Sequence, residues 1–324
     1  MFPLYLALAA LIPYVLHAFA AYPNPLPFKG ALSQLPGGSP TLCKHSGTYY
    51  MFTSGVGLKI YTSTDLATWK AGGVVWPNGT PWAAPYTGGD NGNLWAPDCK
   101  IVDGEFRLFY SASTPGSQKS AIFYAHSKTG ASGSFTNGGL VVSSSPSTTD
   151  FNAIDPNLSL VRFLEPVLYL SFGSYWDGIR GVQLNPSTFL PLSKNFDTLA
   201  YRDNGKEPYG LPHAEEAPVI AKLGDFWYLF TSWNRDNEYY EVHVARSDRH
   251  NGGYFGKAGL PATKNGGTVI LAMHDKIRGP GGQDVFTDTD GKVYLVYHYK
   301  LAGVTGKVVG LNRLDMSSGW PVVV

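Results

Sequence analysis

From Tyr22 onward, short apolar runs alternate with turns rich in Gly, Asp and Asn almost to the end of the chain, and no window carries a helical period. Runs such as Leu58–Tyr61, Ala121–His126 and Glu241–Ala245 have the length and residue types of strands. The pattern also repeats on a longer scale. Pro40, Pro97, Pro156, Pro218 and Pro280 each open a unit with a short apolar run, a turn containing Gly or Asp, and a second run rich in Tyr, Phe and Leu. Three units are clear: Pro40-Thr-Leu-Cys-Lys-His-Ser-Gly-Thr-Tyr-Tyr-Met-Phe, Pro97-Asp-Cys-Lys-Ile-Val-Asp-Gly-Glu-Phe-Arg-Leu-Phe-Tyr and Pro218-Val-Ile-Ala-Lys-Leu-Gly-Asp-Phe-Trp-Tyr-Leu-Phe. The other two are looser, the last holding the hairpin Asp288-Thr-Asp-Gly-Lys292. By subtraction the five prolines stand 57, 59, 62 and 62 residues apart. Five such units predict an all-β fold, a single five-bladed β-propeller over residues 22–324. The spacing exceeds the ~40–45 residues of a WD40 blade, and that family's repeated Gly-His and Trp-Asp signatures are missing. The first strand of a propeller blade lines the axial channel, and Pro suits a strand's first residue. Residues just before each proline should therefore gather at one end of the channel.

Residues 1–21 carry no charged side chain, and an apolar run from Leu4 to Leu16 precedes the small-x-small pattern Ala18-Phe19-Ala20. This predicts a signal peptide and a secreted, extracellular product, with an uncleaved anchor as the alternative because the leader lacks Lys and Arg. No later segment is apolar enough to span a bilayer. With 25 basic and 24 acidic residues and only 15% charged, the chain has no electrostatic grip for nucleic acid or an anionic membrane, so an uncharged partner is expected, bound by a monomer. The 14% aromatic content suits the flat apolar faces of sugars, and equally an aromatic-rich β core. The two cysteines, Cys43 and Cys99, fall three and two residues past their prolines, on expected inner strands of neighbouring blades. They either bridge the blades or remain two buried thiols.

Set side by side, the blade openings are Gly38-Ser39-Pro40, Trp95-Ala96-Pro97-Asp98, Ile154-Asp155-Pro156, Glu215-Glu216-Ala217-Pro218 and Gly279-Pro280-Gly281. Two carboxylates stand out in this ring, Asp155 and Glu216. In a partly dry channel an ionised Asp155 would raise the pKa of Glu216 and keep it protonated, ready to donate to a leaving oxygen. The bland alternative is a pair of solvated turn acids.

The ordered motifs Asn93-Leu-Trp-Ala-Pro-Asp98, Tyr110-Ser-Ala-Ser-Thr-Pro-Gly-Ser-Gln118, Asn152-Ala-Ile-Asp-Pro-Asn157, Ser171-Phe-Gly-Ser-Tyr-Trp176, Glu216-Ala-Pro218, Gly279-Pro-Gly-Gly-Gln283 and Ser318-Gly-Trp-Pro-Val322 span essentially the whole mature chain. Together they resemble the endo-α-1,5-L-arabinanases of glycoside hydrolase family 43. The resemblance implies a five-bladed propeller and inverting hydrolysis of arabinan, a pectin side chain, by a general acid, a general base that activates water, and a third carboxylate that tunes the acid. By matched motif Glu216 is the acid, with Glu215 the competing choice, and Asp155 is the tuner. The departure is in the first blade, where the family pattern His-Asp-Pro places the base and this chain has Gly38-Ser39-Pro40. An unassisted hydroxyl is far too weak a base, so Ser39 marks the position of a missing group.

The mature chain has no Asp or Glu before Asp65, which leaves Asp98 and Asp284 as in-register substitutes, each also readable as a structural acid. Two main functions remain open, an arabinan hydrolase and a catalytically impaired propeller that binds arabinan, with a related arabinofuranosidase or xylosidase as a third. The substrate-binding set is Trp95, Tyr175 and Trp176 for stacking, Asp98, Asn152 and Ser174 for sugar hydroxyls, and Gly116, with Gly173, for close backbone approach. Many members of the family hold an axial cation such as calcium through a His in the fifth-blade motif. Gly282 stands there instead, so no metal or other cofactor is assigned; His274 and His298 are the alternatives, each better read as structural. Asn78-Gly-Thr80 reads as a glycosylation sequon in a loop, whereas Asn157-Leu-Ser159 lies in a channel motif and suits that use less.

Overall fold

The computed structural model describes residues 22–89, 92–162, 166–203 and 213–324; the leader-like stretch 1–21 lies outside the described residues. The chain builds five antiparallel sheets, each laid down in sequence order from axis to rim, which is the expected five-bladed propeller. Their inner strands are Thr41–His45, Asn93–Val102, Asn157–Arg162, Glu215–Leu223 and Ile277–Thr287. Blade two gains a short extra strand, Gly55–Val56, on the end of Asn93–Val102. The turn Asp288–Lys292 joins the first two strands of blade five, as its Asp-Gly signal predicts.

The second strands carry near-continuous apolar runs because each sheet is covered on both faces. Along Thr48–Thr53, Met51 packs against blade five and Phe52 against blade two. Phe109 and Tyr110 divide in the same way between blades three and one, and Leu229 and Phe230 between blades three and five. The core is therefore five separate wedges, one for each boundary between blades. Most of the aromatic content is spent there, as in the Tyr124–Phe189 stack at 4.7 Å.

Hydrophobic wedges do not fix how one blade slides along the next; buried hydrogen bonds do. In four of the five blades, a polar side chain two residues past the channel-end turn reaches an amide of the following blade. Thr41 Oγ1 accepts from Cys99 N at 3.0 Å, Asp98 Oδ2 from Leu158 N at 2.8 Å, Asn157 Oδ1 from Ile220 N at 3.0 Å, and Asp284 Oδ2 from Leu42 N at 3.1 Å. The chain of clasps is tied together by Asn157 Nδ2 donating to Asp98 at 2.9 Å and by the Thr41 hydroxyl donating to Asp284 at 2.7 Å. Val219 occupies the fourth place and makes no such bond; Val285 N turns back to Asp284 Oδ1 at 2.8 Å instead. The Asn157 amide is buried and bonded through both its nitrogen and its oxygen, which removes it as a glycosylation acceptor, while Asn78 is exposed.

Among the described residues no strand is shared between first and last blades. The ring closes because the segment after Tyr22 lies along the third strand of blade five, with Leu26 N donating to Leu311 O at 2.8 Å and Gly37 N to Lys307 O at 3.0 Å. Cys43 and Cys99 form a disulfide between the inner strands of blades one and two, with Cα atoms 5.8 Å apart. This decides between the two alternatives left by the sequence.

The fifth opening differs from its expected register. Four inner strands turn into the channel directly before a proline, but in blade five that place is held by Gly282-Gln283, two residues past Pro280. Two register shifts, between Arg278 and Gly281 and between Gly281 and Asp284, accommodate the slip.

The bridge Cys43–Cys99 spans 56 residues of sequence, for which the chain-entropy model gives about 4 kcal/mol of stabilisation. Thiol titration of the denatured, unreduced protein is expected to find no free thiol, and Cys43→Ser/Cys99→Ser to lower the melting temperature by several degrees; two titratable thiols in the natural chain would contradict the bridge.

Candidate active site

At the channel end of every inner strand the backbone turns through one residue with positive φ: Ser39 (43°), Ala96 (42°), Asp155 (58°), Ala217 (55°) and Gly282 (55°). A left-handed turn costs a non-glycine residue about 1–2 kcal/mol, so each must be held. One device serves all five: the amide of the turning residue is donated to a side chain of the preceding blade. Ala96 N meets Ser54 Oγ at 2.9 Å, Asp155 N meets Ser111 Oγ at 3.0 Å, Ala217 N meets Asp155 Oδ2 at 3.2 Å, Gly282 N meets Ser232 Oγ at 2.9 Å, and Ser39 N meets His298 Nδ1 at 3.0 Å. Asp155 is thus a member of the architecture as well as a site group.

The turns open onto a cleft of about 1090 Å³ lined, among the described residues, by three carboxylates, Asp155, Glu216 and Asp236. Ser39, Trp95, Gly116, Asn152, Ser174, Tyr175 and Trp176 of the expected set also line it. Glu216 is placed by the strand shift between Glu216 and Val219 and by a bridge from its backbone to Ser174. Its Oε2 accepts from Ser174 Oγ at 2.6 Å and its Oε1 from Tyr240 OH at 2.8 Å. Glu215 points the other way, into blade four, where its Oε1 accepts from Thr231 Oγ1 at 2.8 Å and Trp233 Nε1 at 3.0 Å. Its Oε2 is buried without a partner, and burial pushes its pKa up to about 7. The position facing the cleft therefore belongs to Glu216.

Burial raises the pKa of Glu216 against its two hydrogen bonds, and the charge of Asp236 adds to the rise. Burial, with the charge of Glu216, pushes Asp155 well above the carboxylate range despite the Ala217 amide. The two groups form a buried pair in which each charge opposes the other's ionisation, and from outside the pair the charge of Asp236 raises Glu216 while that of Lys307 lowers it. Asp236 itself is held far below the ordinary range. Burial opposes its ionisation, but His298, whose Nε2 lies 3.3 Å from Oδ1, and Lys307, bonded to Oδ2, outweigh it.

Two expected acids lie elsewhere. Asp98, placed in the substrate set, and Asp284, considered with it as a substitute base, are buried in the axial channel and spent on the interblade clasps, with the Lys100 ammonium 2.6 Å and 3.6 Å from them. Neither reaches the cleft, because their side chains point along the ring to the next strand's amide. Gly173 has its own reason to be glycine: at φ 130° a Cβ would come within 2.5 Å of the Gly178 carbonyl. The close approach is to the turn that presents Tyr175 and Trp176, not to a sugar. Asn152 keeps its amide oxygen buried and without a partner, as a hydroxyl-binding group requires.

The residues do not fit an axial cation. A Cβ on Gly282 would sit 2.5 Å from the His298 ring, Lys100 already places a positive charge between the channel aspartates, and His274 turns Nδ1 to the Ala272 carbonyl at 2.8 Å. Inspecting the blade openings alone misses Asp236. The connection between second and third strands lies at the same end of an antiparallel blade as the start of the first strand, so Trp233–Glu241 belongs to the cleft by topology.

Comparison with known proteins agrees with this architecture. Residues 34–321 match the family described as Glycosyl hydrolases family 43. The chain is 35% identical over 292 residues to arabinan endo-1,5-alpha-L-arabinosidase A of Aspergillus niger, covering 86% of this chain and 87% of that protein. The GH43 endo-arabinanase of Bacillus licheniformis superposes with a TM-score of 0.81 at 32% identity, covering 91% of this chain and 99% of the other. An alpha-L-arabinanase of Cellvibrio cellulosa, complexed with arabinohexaose, gives 0.82 at 29% identity, covering 90% and 96%. A match over nearly the whole propeller, with an acid pair at the channel mouth, places the chain in a family: it belongs to the family 43 glycosyl hydrolases.

Proposed function

We propose that this chain is an exported endo-α-1,5-L-arabinanase that hydrolyses internal linkages of arabinan, working as a monomer. The observation that carries the reading is Glu216: a cleft-facing carboxyl held between Ser174 and Tyr240, with burial keeping its proton available, in a cleft walled by Trp95, Tyr175 and Trp176. Glu216 protonates the glycosidic oxygen as the C–O bond breaks, Asp155 shares its proton inventory, and the aromatic walls stack on furanose rings. Export rests on the leader-like residues 1–21. A second reading is favoured by Ser39, which stands where the resemblance puts the base: a propeller that binds arabinan and cleaves it poorly.

Reducing-sugar release from linear α-1,5-arabinan is the direct test. The natural chain is expected to liberate a spread of oligosaccharides, and Glu216→Gln to lose about 10²–10⁴-fold in kcat. Release of monomer alone, or preference for xylan, would overturn the endo-arabinanase reading; arabinan binding without turnover would establish the second.

Glu215→Gln separates the two neighbouring acids. A carboxyl raised from 4.5 to about 7 on folding contributes stability below pH 4.5 that is lost as the pH climbs to 7. The variant is expected to remove that part of the fall in melting temperature between pH 4.5 and 7, while activity stays within a few-fold; a collapse in kcat comparable with that of Glu216→Gln would reverse the assignment.

A further inference from the structure

Single-displacement hydrolysis needs an anionic group that takes a proton from the attacking water, on the far side of the sugar from the acid. Ser39 is too weak, and Asp98 and Asp284 are used up in the channel. His298 is also unsuitable: it is buried, its Nδ1 accepts the Ser39 amide, and the proton this leaves on Nε2 points at Asp236. Among the described residues, one cleft carboxylate remains unassigned.

Asp236 is held firmly. The turn that carries it closes with Asn237 N donating to Arg235 O at 2.6 Å and is pinned to blade five by Gly279 N donating to Glu238 O at 3.0 Å. A Cβ on Gly279 would meet the Asn237 carbonyl at 1.8 Å, so glycine is required for this docking. One carboxylate oxygen faces His298 and, through the imidazole, the Ser39 amide; the other is paired with Lys307, whose stem passes 3.2 Å from where a Cβ of Gly38 would stand. The carboxylate therefore reaches the blade-one opening from the blade-four loop, one imidazole away from Ser39. About a third of its side-chain surface is open, whereas His298 behind it is closed to water. The two donors fix the orientation of an ionised carboxylate whose open face a water can reach.

We propose that Asp236, oriented by His298 and Lys307 beside the first-blade opening, is the general base of this enzyme and takes over the task that Ser39 cannot perform. The assignment rests on the hydrolase reading above. In the step, a water oxygen bonds to the anomeric carbon as its bond to the leaving oxygen breaks. The water's proton passes to Asp236, and the Glu216 proton passes to the departing hydroxyl, so one water is consumed. Exchange with solvent then returns the Asp236 proton and reprotonates Glu216.

Kinetics on linear arabinan of the natural chain, Asp236→Asn and Asp236→Ala, with and without sodium azide, test the proposal. Both variants are expected to lose about 10²–10⁴-fold in kcat with little change in KM. Azide needs no deprotonation, so it should restore Asp236→Ala at least tenfold and yield a β-L-arabinofuranosyl azide, which a structural or substrate-binding role would not produce. Activity within fivefold of the natural chain, or a loss with raised KM and no azide product, overturns the assignment. Should Asp236→Ala fail to fold, the near-isosteric Asp236→Asn carries the kcat and KM test. Calorimetry with arabino-oligosaccharides separates the two levels of inference. A natural chain that binds them without turnover, with Ser39→Asp gaining activity, overturns Asp236 alone; a chain that neither binds nor cleaves arabinan overturns the function itself.

Discussion

Two rings of interblade hydrogen bonds around the propeller axis set the position of everything else. In the upper ring five amides with left-handed backbone are each accepted by a side chain of the blade before; in the lower ring four side chains repeat the gesture one step down the strands. A buried hydrogen bond of this kind is worth only about 1 kcal/mol net, but leaving either partner unmade costs about 1–3 kcal/mol. The rings act less as glue than as a constraint on register. The apolar wedges favour any close approach of the sheets; the rings admit one angular and axial setting. Because Asp155 is itself an acceptor in the upper ring, the geometry that closes the propeller also sets one of its reactive carboxyls.

The chemistry of the cleft follows from how each carboxylate is reached by partners. Glu216 and Asp155 are surrounded mainly by neutral donors, so burial dominates and raises their pKa. Asp236, about a third open, meets an ammonium and an imidazole N–H, which together overcome its partial burial. Among the described residues, the acids of the cleft thus divide into a pair whose ionisation is opposed and one whose ionisation is favoured.

Much of this was legible in the chain. The proline repeat marks the inner strands, and the alignment of openings selects Glu216 over Glu215, as the opposite orientations of the two side chains explain. In blade five Pro280 looks like its counterparts in sequence, whereas the geometric counterpart is Gly282, displaced by a double bulge that leaves no sequence signal. Asp98 and Asp284 were found in register, but register says which level of the channel a residue occupies and not whether its side chain turns along the ring. Asp236 lay outside the openings altogether; only the sheet topology brings its loop to the same rim. The cysteines were placed on facing strands by sequence, and their pairing needed the actual separation of the backbones.

The upper ring uses only the backbone N–H of its turning residues at four of its five stations, and Ser39 is one of them. What the fold demands of position 39 is an amide and a tolerable left-handed turn; its side chain is left to the cleft. Architecture and reactivity are thus written in different atoms of the same residue. A propeller built this way can exchange the reactive group at one station without loosening its closure, and a carboxylate supplied by a neighbouring loop meets an intact frame. The mouth of the channel is in effect a socket with interchangeable fittings, in which chemistry can migrate from one blade to another while the ring stays closed.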